Sequence, residues 1–262
     1  MGTLLSILMI PHALVSVMLP TRQRVQLLER TVRSLLEKAA NPKLIEITVA
    51  YDEDDIETHK YLNSSAWQGL LDTFGATSQI HRTPAWGYGE LHNYYNLLAK
   101  SANGKWLLLW NDDCIMITED WDNQVKENID FVGMLHMVTE KFRSELALFP
   151  LVPRVWIDIF GKLSLCNLCD SWVQDICYEI GAVRSISATV IHDRYDVTGN
   201  NQDSTYLNRD YRKKIYKSDE MRQVRHEWAV KLQEYITGIS ACVPNSGLAE
   251  DHQSPSETLL VG

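Results

Sequence analysis

Along the first half of the chain, apolar positions switch between two periods. Residues 14–19 (LVSVML) form an almost unbroken apolar run that ends at Pro20, Thr21 and Arg22, the pattern of a short buried strand. Beyond it Leu28, Val32, Leu35, Leu36 and Ala39 recur at three and four residues, which makes one helix face until Asn41 and Pro42 stop it. Residues 44–50 (LIEITVA) read as strand again and run into the acidic cluster YDEDD. Strand, helix, strand in that order predicts a parallel sheet with right-handed crossovers. A second round follows: a short strand at 78–82, a helix at 90–102 stopped by Asn103 and Gly104, and a strand at 105–110.

The second half is less regular. Its pattern predicts helix at 119–130, extended chain at 131–137, short helices at 153–161 and 171–181, and a strand at 185–192 (SISATVIH). From 204 to 236 charged residues alternate with aromatics, which predicts two helices, the second opened by Ser218 with Asp219 and Glu220 in its first turn. Residues 243–262, rich in Ser, Pro and acids, predict a disordered tail.

In open sheets ligands gather beyond the carboxyl ends of the strands, where loops meet and helix N-termini point their amides at anions. Three polar clusters fall on that edge: Pro20-Thr21-Arg22, the acids 52–55, and Asn111-Asp112-Asp113. Adjacent carboxylates repel unless a cation or a partner sits between them, so the last cluster points to a divalent metal. Its competing reading is a turn or capping pair.

Composition narrows the class. With 262 residues and 45% hydrophobic content, the chain can bury the core of one large domain. A net charge of -9 gives no general attraction to phosphate backbones and weighs against a nucleic-acid acceptor. The basic, tyrosine-containing stretch 206–217 (YLNRDYRKKIYK) weighs for one, with a solvated helix face as the plain alternative. Five cysteines, an odd number, suit a reducing, cytoplasmic compartment better than a disulfide scaffold. Cys166 and Cys169 lack a second pair at zinc spacing and read as buried thiols. The apolar first nineteen residues lack a basic leader and a cleavage site, and Pro11-His12 interrupts them. We expect an arm before the first strand and make no firm membrane assignment.

The stretches SVMLPTRQR (16–24), ITVAYDEDDIET (47–58) and WGYGELHNYYNLLAKSANGKWLLLWNDD (86–113) together resemble the GT-A fold glycosyltransferases of the broad family-2-like group. Their order and spacing match a strand ending in P-T-x-x-R, a strand ending in acids, and a strand running into D-x-D. The resemblance covers residues 14–135 well and 169–206 more loosely. It implies an α/β, Rossmann-like, mostly parallel sheet flanked by helices, with a helical C-terminal extension. The expected layout is an arm at 1–13, a nucleotide-sugar-binding half at 14–135, an acceptor-side half at 136–203, and the extension at 204–242.

The resemblance also implies an activity: transfer of a sugar from a nucleotide-diphosphate sugar, a UDP-sugar by preference, to an acceptor hydroxyl of unspecified class, with Mn²⁺ or Mg²⁺. Pro20, Thr21, Arg22, Asp52, Asp55, Asn93 and Asp112 become expected nucleotide contacts, and Asp113 with His192 the expected metal ligands. Asp170 becomes the expected general base of an inverting displacement, with Asp175 and Glu179 as competitors and a helix-capping role as the alternative. One departure matters: the D-x-D motif reads N-D-D, without its first acid. Two rivals stay open. A nucleotidyltransferase should carry a glycine-rich loop after the first strand, and PTRQRVQ has none; a non-catalytic sugar-nucleotide binder fits the missing acid.

Overall fold

The computed structural model describes residues 13–139, 149–194 and 215–242. Its centre is β1 (Ala13–Thr21), buried at every position but Pro20. It pairs in parallel with β2 (Ile45–Asp52) on one side and β4 (Gly104–Leu109) on the other, and β2 pairs in parallel with β3 (Thr77–Thr83). Helix α1 (Val25–Glu37) makes the first crossover, burying Leu28, Val32, Leu35 and Leu36 at the spacing the sequence predicts.

Both faces of this sheet are covered, and alternate strand residues serve alternate faces. Val15, Val17, Leu19, Trp106 and Leu108 join the side chains of α1 and of α3 (Ser65–Phe74). Met18, Leu107 and Leu109 instead meet Tyr94, Tyr95 and Leu98 of α4 (Leu91–Ser101). Gly104 is required where β4 meets β1, since a Cβ there would lie 2.4 Å from the Ser16 amide nitrogen.

Beyond β4 the sheet becomes mixed. The full order is β3-β2-β1-β4-β7-β6-β8-β5, with β5 (Cys114–Met116), β6 (Met134–Thr139), β7 (Leu151–Pro153) and β8 (Val183–His192). β6 and β8 are parallel; β7 is antiparallel to both β4 and β6, and β5 to β8. Helices α5 (Trp121–Glu127), α6 (Val155–Phe160) and α7 (Cys169–Glu179) connect these strands, and α8 (Asp219–Cys242) packs on α6 and α7.

Three elements go beyond the sequence reading: α3, β5 and β7. The two strands have three residues each, too few to show a period. The α3 segment does carry signals, since the Ser64 side chain accepts from Trp67 N–H and Gly75 ends the helix at φ 67°. Boundaries also move: the expected helix at 153–161 starts at Val155 because Leu151–Pro153 is the added strand. Residues 1–12, the tail 243–262 and most of the basic stretch 206–217 lie outside the described residues. Among the described residues no helix is long and apolar enough to cross a membrane.

Candidate metal and nucleotide site

Four strand ends bring the polar clusters together. Thr21 ends β1 and Asp52 ends β2, whereas Asn111-Asp112-Asp113 turns the chain from β4 into β5, and His192 ends β8. The decisive register is that of β5 and β8, which sets Cys114 opposite His192. It carries a histidine some eighty residues downstream in sequence onto the carboxylates, and the Asp193 amide donates to the Asp113 carbonyl at 2.8 Å.

Asp112 and Asp113 are both buried, at 5% and 7% exposure, and are held differently. Asp112 accepts from Thr21 Oγ1 at 2.7 Å and from Arg24 Nη1 at 2.9 Å. Burial pushes its carboxyl up, and the Arg24 charge only partly offsets this. For Asp113 burial acts the same way, but contact with His192 and the charge of Arg24 outweigh it and hold the carboxyl below the usual range.

His192 is 6% exposed, and its Nε2 lies 3.2 Å from Asp113 Oδ1. The distance suits an ion pair, and among the described residues neither ring nitrogen has a hydrogen-bond partner. Leaving a buried polar nitrogen unpaired is costly, so the arrangement fits a cation that takes a lone pair from His192 and an oxygen from Asp113. The Phe149 ring sits edge-on to His192 and tilted against Trp110, each at 5.0 Å between centroids. Phe149 does so at φ 57°, a left-handed conformation that an aromatic residue adopts only under tertiary constraint.

The side where the sequence places the nucleotide contacts is built around Asp52, 2% exposed. One of its oxygens accepts from Tyr94 Oη and the other from Arg22 Nη1 at 2.6 Å, while Arg22 also grips Asp54 at 2.5 and 2.8 Å. Tyr94 Oη accepts in turn from the Gly87 amide at 3.0 Å, tying the glycine-containing loop to the end of β2. Pro20 is half-buried opposite Ala50 in the β1–β2 register. Asp55 is engaged by the backbone: it accepts from Thr58 N–H, capping α2 (Ile56–Leu62), and from Gln23 N–H at 2.6 Å, where Gln23 sits at φ 54°. Its place is to lock the PTRQ turn onto α2. Asn93 is half-buried and donates to Glu90 at 3.1 Å, on the opening turn of its own helix.

Asp170 lies in the first turn of α7, one residue inside the helix rather than at its cap, and accepts from the Ser171 amide at 2.8 Å. Burial pushes its carboxyl up, offset in part by that amide and by the charges of Arg194 and His192, so it sits within electrostatic reach of the metal cluster. Asp175 and Glu179 are occupied elsewhere. Asp175 binds Tyr216 and, at 3.2 Å, Arg225; Glu179 binds His226. Cys169 Sγ donates to the Cys166 carbonyl at 3.3 Å, as a buried thiol does.

Sequence reasoning left out Tyr94, Phe149 and Cys114. A lone tyrosine on a helix and a lone cysteine at a strand start carry no pattern of their own, and only the packing of β2 with α4 and the pairing of β5 with β8 reveal them. Two surface hollows, of about 370 and 460 Å³, lie along α8 between Phe131 and Ile239 and between Val155 and Tyr235. None of the strand-end residues lines either hollow, so the site is identified by its chemistry and not by concavity.

The fold is that of GT-A glycosyltransferase structures. A mannosyltransferase from Pyrobaculum calidifontis in complex with GDP-Man and Mn²⁺ superposes with a TM-score of 0.54 at 12% identity, over 87% of this chain and 75% of that one. TarS from S. aureus in complex with UDP-GlcNAc superposes with a TM-score of 0.51 at 14% identity, over 88% of this chain and 76% of that one. By sequence, no family model and no curated protein matches the chain.

Proposed function

We propose that the chain is a metal-dependent glycosyltransferase that moves a sugar from a nucleotide-diphosphate sugar to an acceptor hydroxyl. The observation that carries this reading is the buried His192, whose ring nitrogens have no hydrogen-bond partner among the described residues, 3.2 Å from Asp113 at the strand ends where ligands gather in open sheets. The similar structures contain GDP-Man with Mn²⁺, UDP, and UDP-GlcNAc, which supports a sugar-nucleotide donor.

Asp113 and His192 would hold Mn²⁺ or Mg²⁺, which supplies charge neutralisation for the leaving diphosphate. The rest falls to the chain's own side chains. Asp112 fixes Thr21 and Arg24, so the guanidinium faces the same region as the cation and adds positive charge there. Asp52 presents an acceptor to a base carrying a ring N–H, which uracil and guanine have and cytosine lacks; with Pro20, Thr21 and Arg22 alongside, a uridine donor is the favoured choice. Asp170, whose ionised form is a stronger base because burial raises its carboxyl, takes the proton of the acceptor hydroxyl as it attacks. Attack by that hydroxyl on the face opposite the diphosphate inverts the anomeric configuration.

A second reading, a binder without turnover, is favoured by one observation: Asn111 stands where the motif's first acid would be. Incubation of the protein with UDP-, GDP-, CDP- and TDP-sugars, with Mn²⁺ or with EDTA, separates the two. Metal-dependent donor hydrolysis or transfer supports the enzyme; a metal-dependent rise in melting temperature without turnover supports the binder. Absence of both overturns the sugar-nucleotide reading.

A further inference from the structure

Cys114 stands directly across the β5–β8 ribbon from His192, so the two side chains leave the same face. Cys114 Sγ lies 3.8 Å from Asp113 Oδ1, the same oxygen that is 3.2 Å from His192 Nε2. One ligand atom from each of the three residues lies within 4.8 Å of the others, and all three residues are buried. Beside the thiol, the His192 nitrogens have no hydrogen-bond partner among the described residues.

This donor set mixes oxygen, nitrogen and sulfur. Mn²⁺ and Mg²⁺ favour oxygen, whereas a thiolate beside an imidazole selects zinc-class cations. We infer that Cys114 is a third ligand of the cation site and that its sulfur turns the site toward a thiophilic divalent cation such as Zn²⁺ or Co²⁺. The inference rests on the Asp113–His192 site proposed above and adds to it a metal preference. Three protein ligands leave one tetrahedral position open, enough for a single phosphate oxygen or a water. Zn²⁺ therefore competes with Mn²⁺ for the same residues.

The test uses the full chain, stripped of metal with a chelator and titrated with Co²⁺ while its absorption is followed. A thiolate-to-cobalt charge-transfer band should appear in the native protein, vanish in Cys114→Ser and in Asp113→Asn, and be bleached by Zn²⁺. Cys114→Ser should weaken Zn²⁺ binding by about ten-fold or more, and a cooperative thermal transition in the absence of metal shows that the variant is folded. Cobalt binding without the band, or a band that survives in Cys114→Ser, overturns the role of Cys114 and leaves the Asp113–His192 site standing. Failure of Co²⁺, Zn²⁺ and Mn²⁺ alike to bind overturns both.

Discussion

At the scale of single residues, Asp112 and Asp113 show how neighbours in sequence come to differ in chemistry. One carboxyl is satisfied by Thr21 and Arg24, the other faces an imidazole that lacks hydrogen bonds. Asp113→Asn should therefore abolish the Mn²⁺-dependent part of donor binding, read as the lost part of the rise in melting temperature with UDP-sugar and Mn²⁺; an unchanged rise refutes the ligand role. Asp170→Asn should leave donor binding intact and slow transfer by about 10²- to 10⁴-fold. Because burial raises the Asp170 carboxyl, its ionised form is lost on acidification sooner than that of an ordinary carboxylate. The acid limb of the transfer rate should lie above about pH 4, the usual carboxylate value, and should disappear in the Asn variant. A limb at the ordinary position would assign it to another group.

At the scale of elements, the strand edge opposite the site is tied by one acid. Glu46 of β2 accepts from Ser16 of β1, from Gln79 of β3 at 2.7 Å, and from the amide of Asn103 before β4 at 2.8 Å. Burial pushes the Glu46 carboxyl up, but these hydrogen bonds outweigh it and hold the group below its ordinary value. A depressed value means that the stability is fully present above the unfolded-state carboxylate pKa and is lost as pH falls through the folded one. The melting temperature should accordingly drop at acid pH, and Glu46→Gln should flatten that drop while costing about 1–3 kcal/mol at neutral pH. An unaltered acid profile in the variant would show that Glu46 does not govern it. The long periodic elements β1, α1, β2, α4 and β4 were all legible in the sequence, since each carries enough residues to show its period. β5 and β7 were not, because three residues owe their extended form to the strands they pair with.

At the scale of the molecule, α8 packs across α6 and α7. Trp228 stacks on Phe160 with centroids 4.3 Å apart and meets Trp172 of α7 edge-on at 5.2 Å, while Arg225 reaches Asp175 on the same helix. Asp170 begins the helix that these contacts clamp. Trp228→Ala should cost about 3–5 kcal/mol and, by loosening α7, should lower transfer more than donor binding. Equal losses in both, measured by turnover and by UDP-sugar titration at a temperature where the variant is folded, would show that α8 serves stability alone.

The chain's own pattern determined the parallel half of the sheet, the helices α1 and α4 on its two faces and the three acidic or basic clusters on its carboxyl edge, because periodicity and strand-end position are local properties. Tertiary structure alone decided which of those groups meet. The antiparallel pairing of β5 with β8 carries His192 to Asp113 and Cys114, and the β2–α4 packing hands Asp52 to Tyr94. No spacing along the sequence encodes such contacts, since they arise from strand register between segments far apart in the chain.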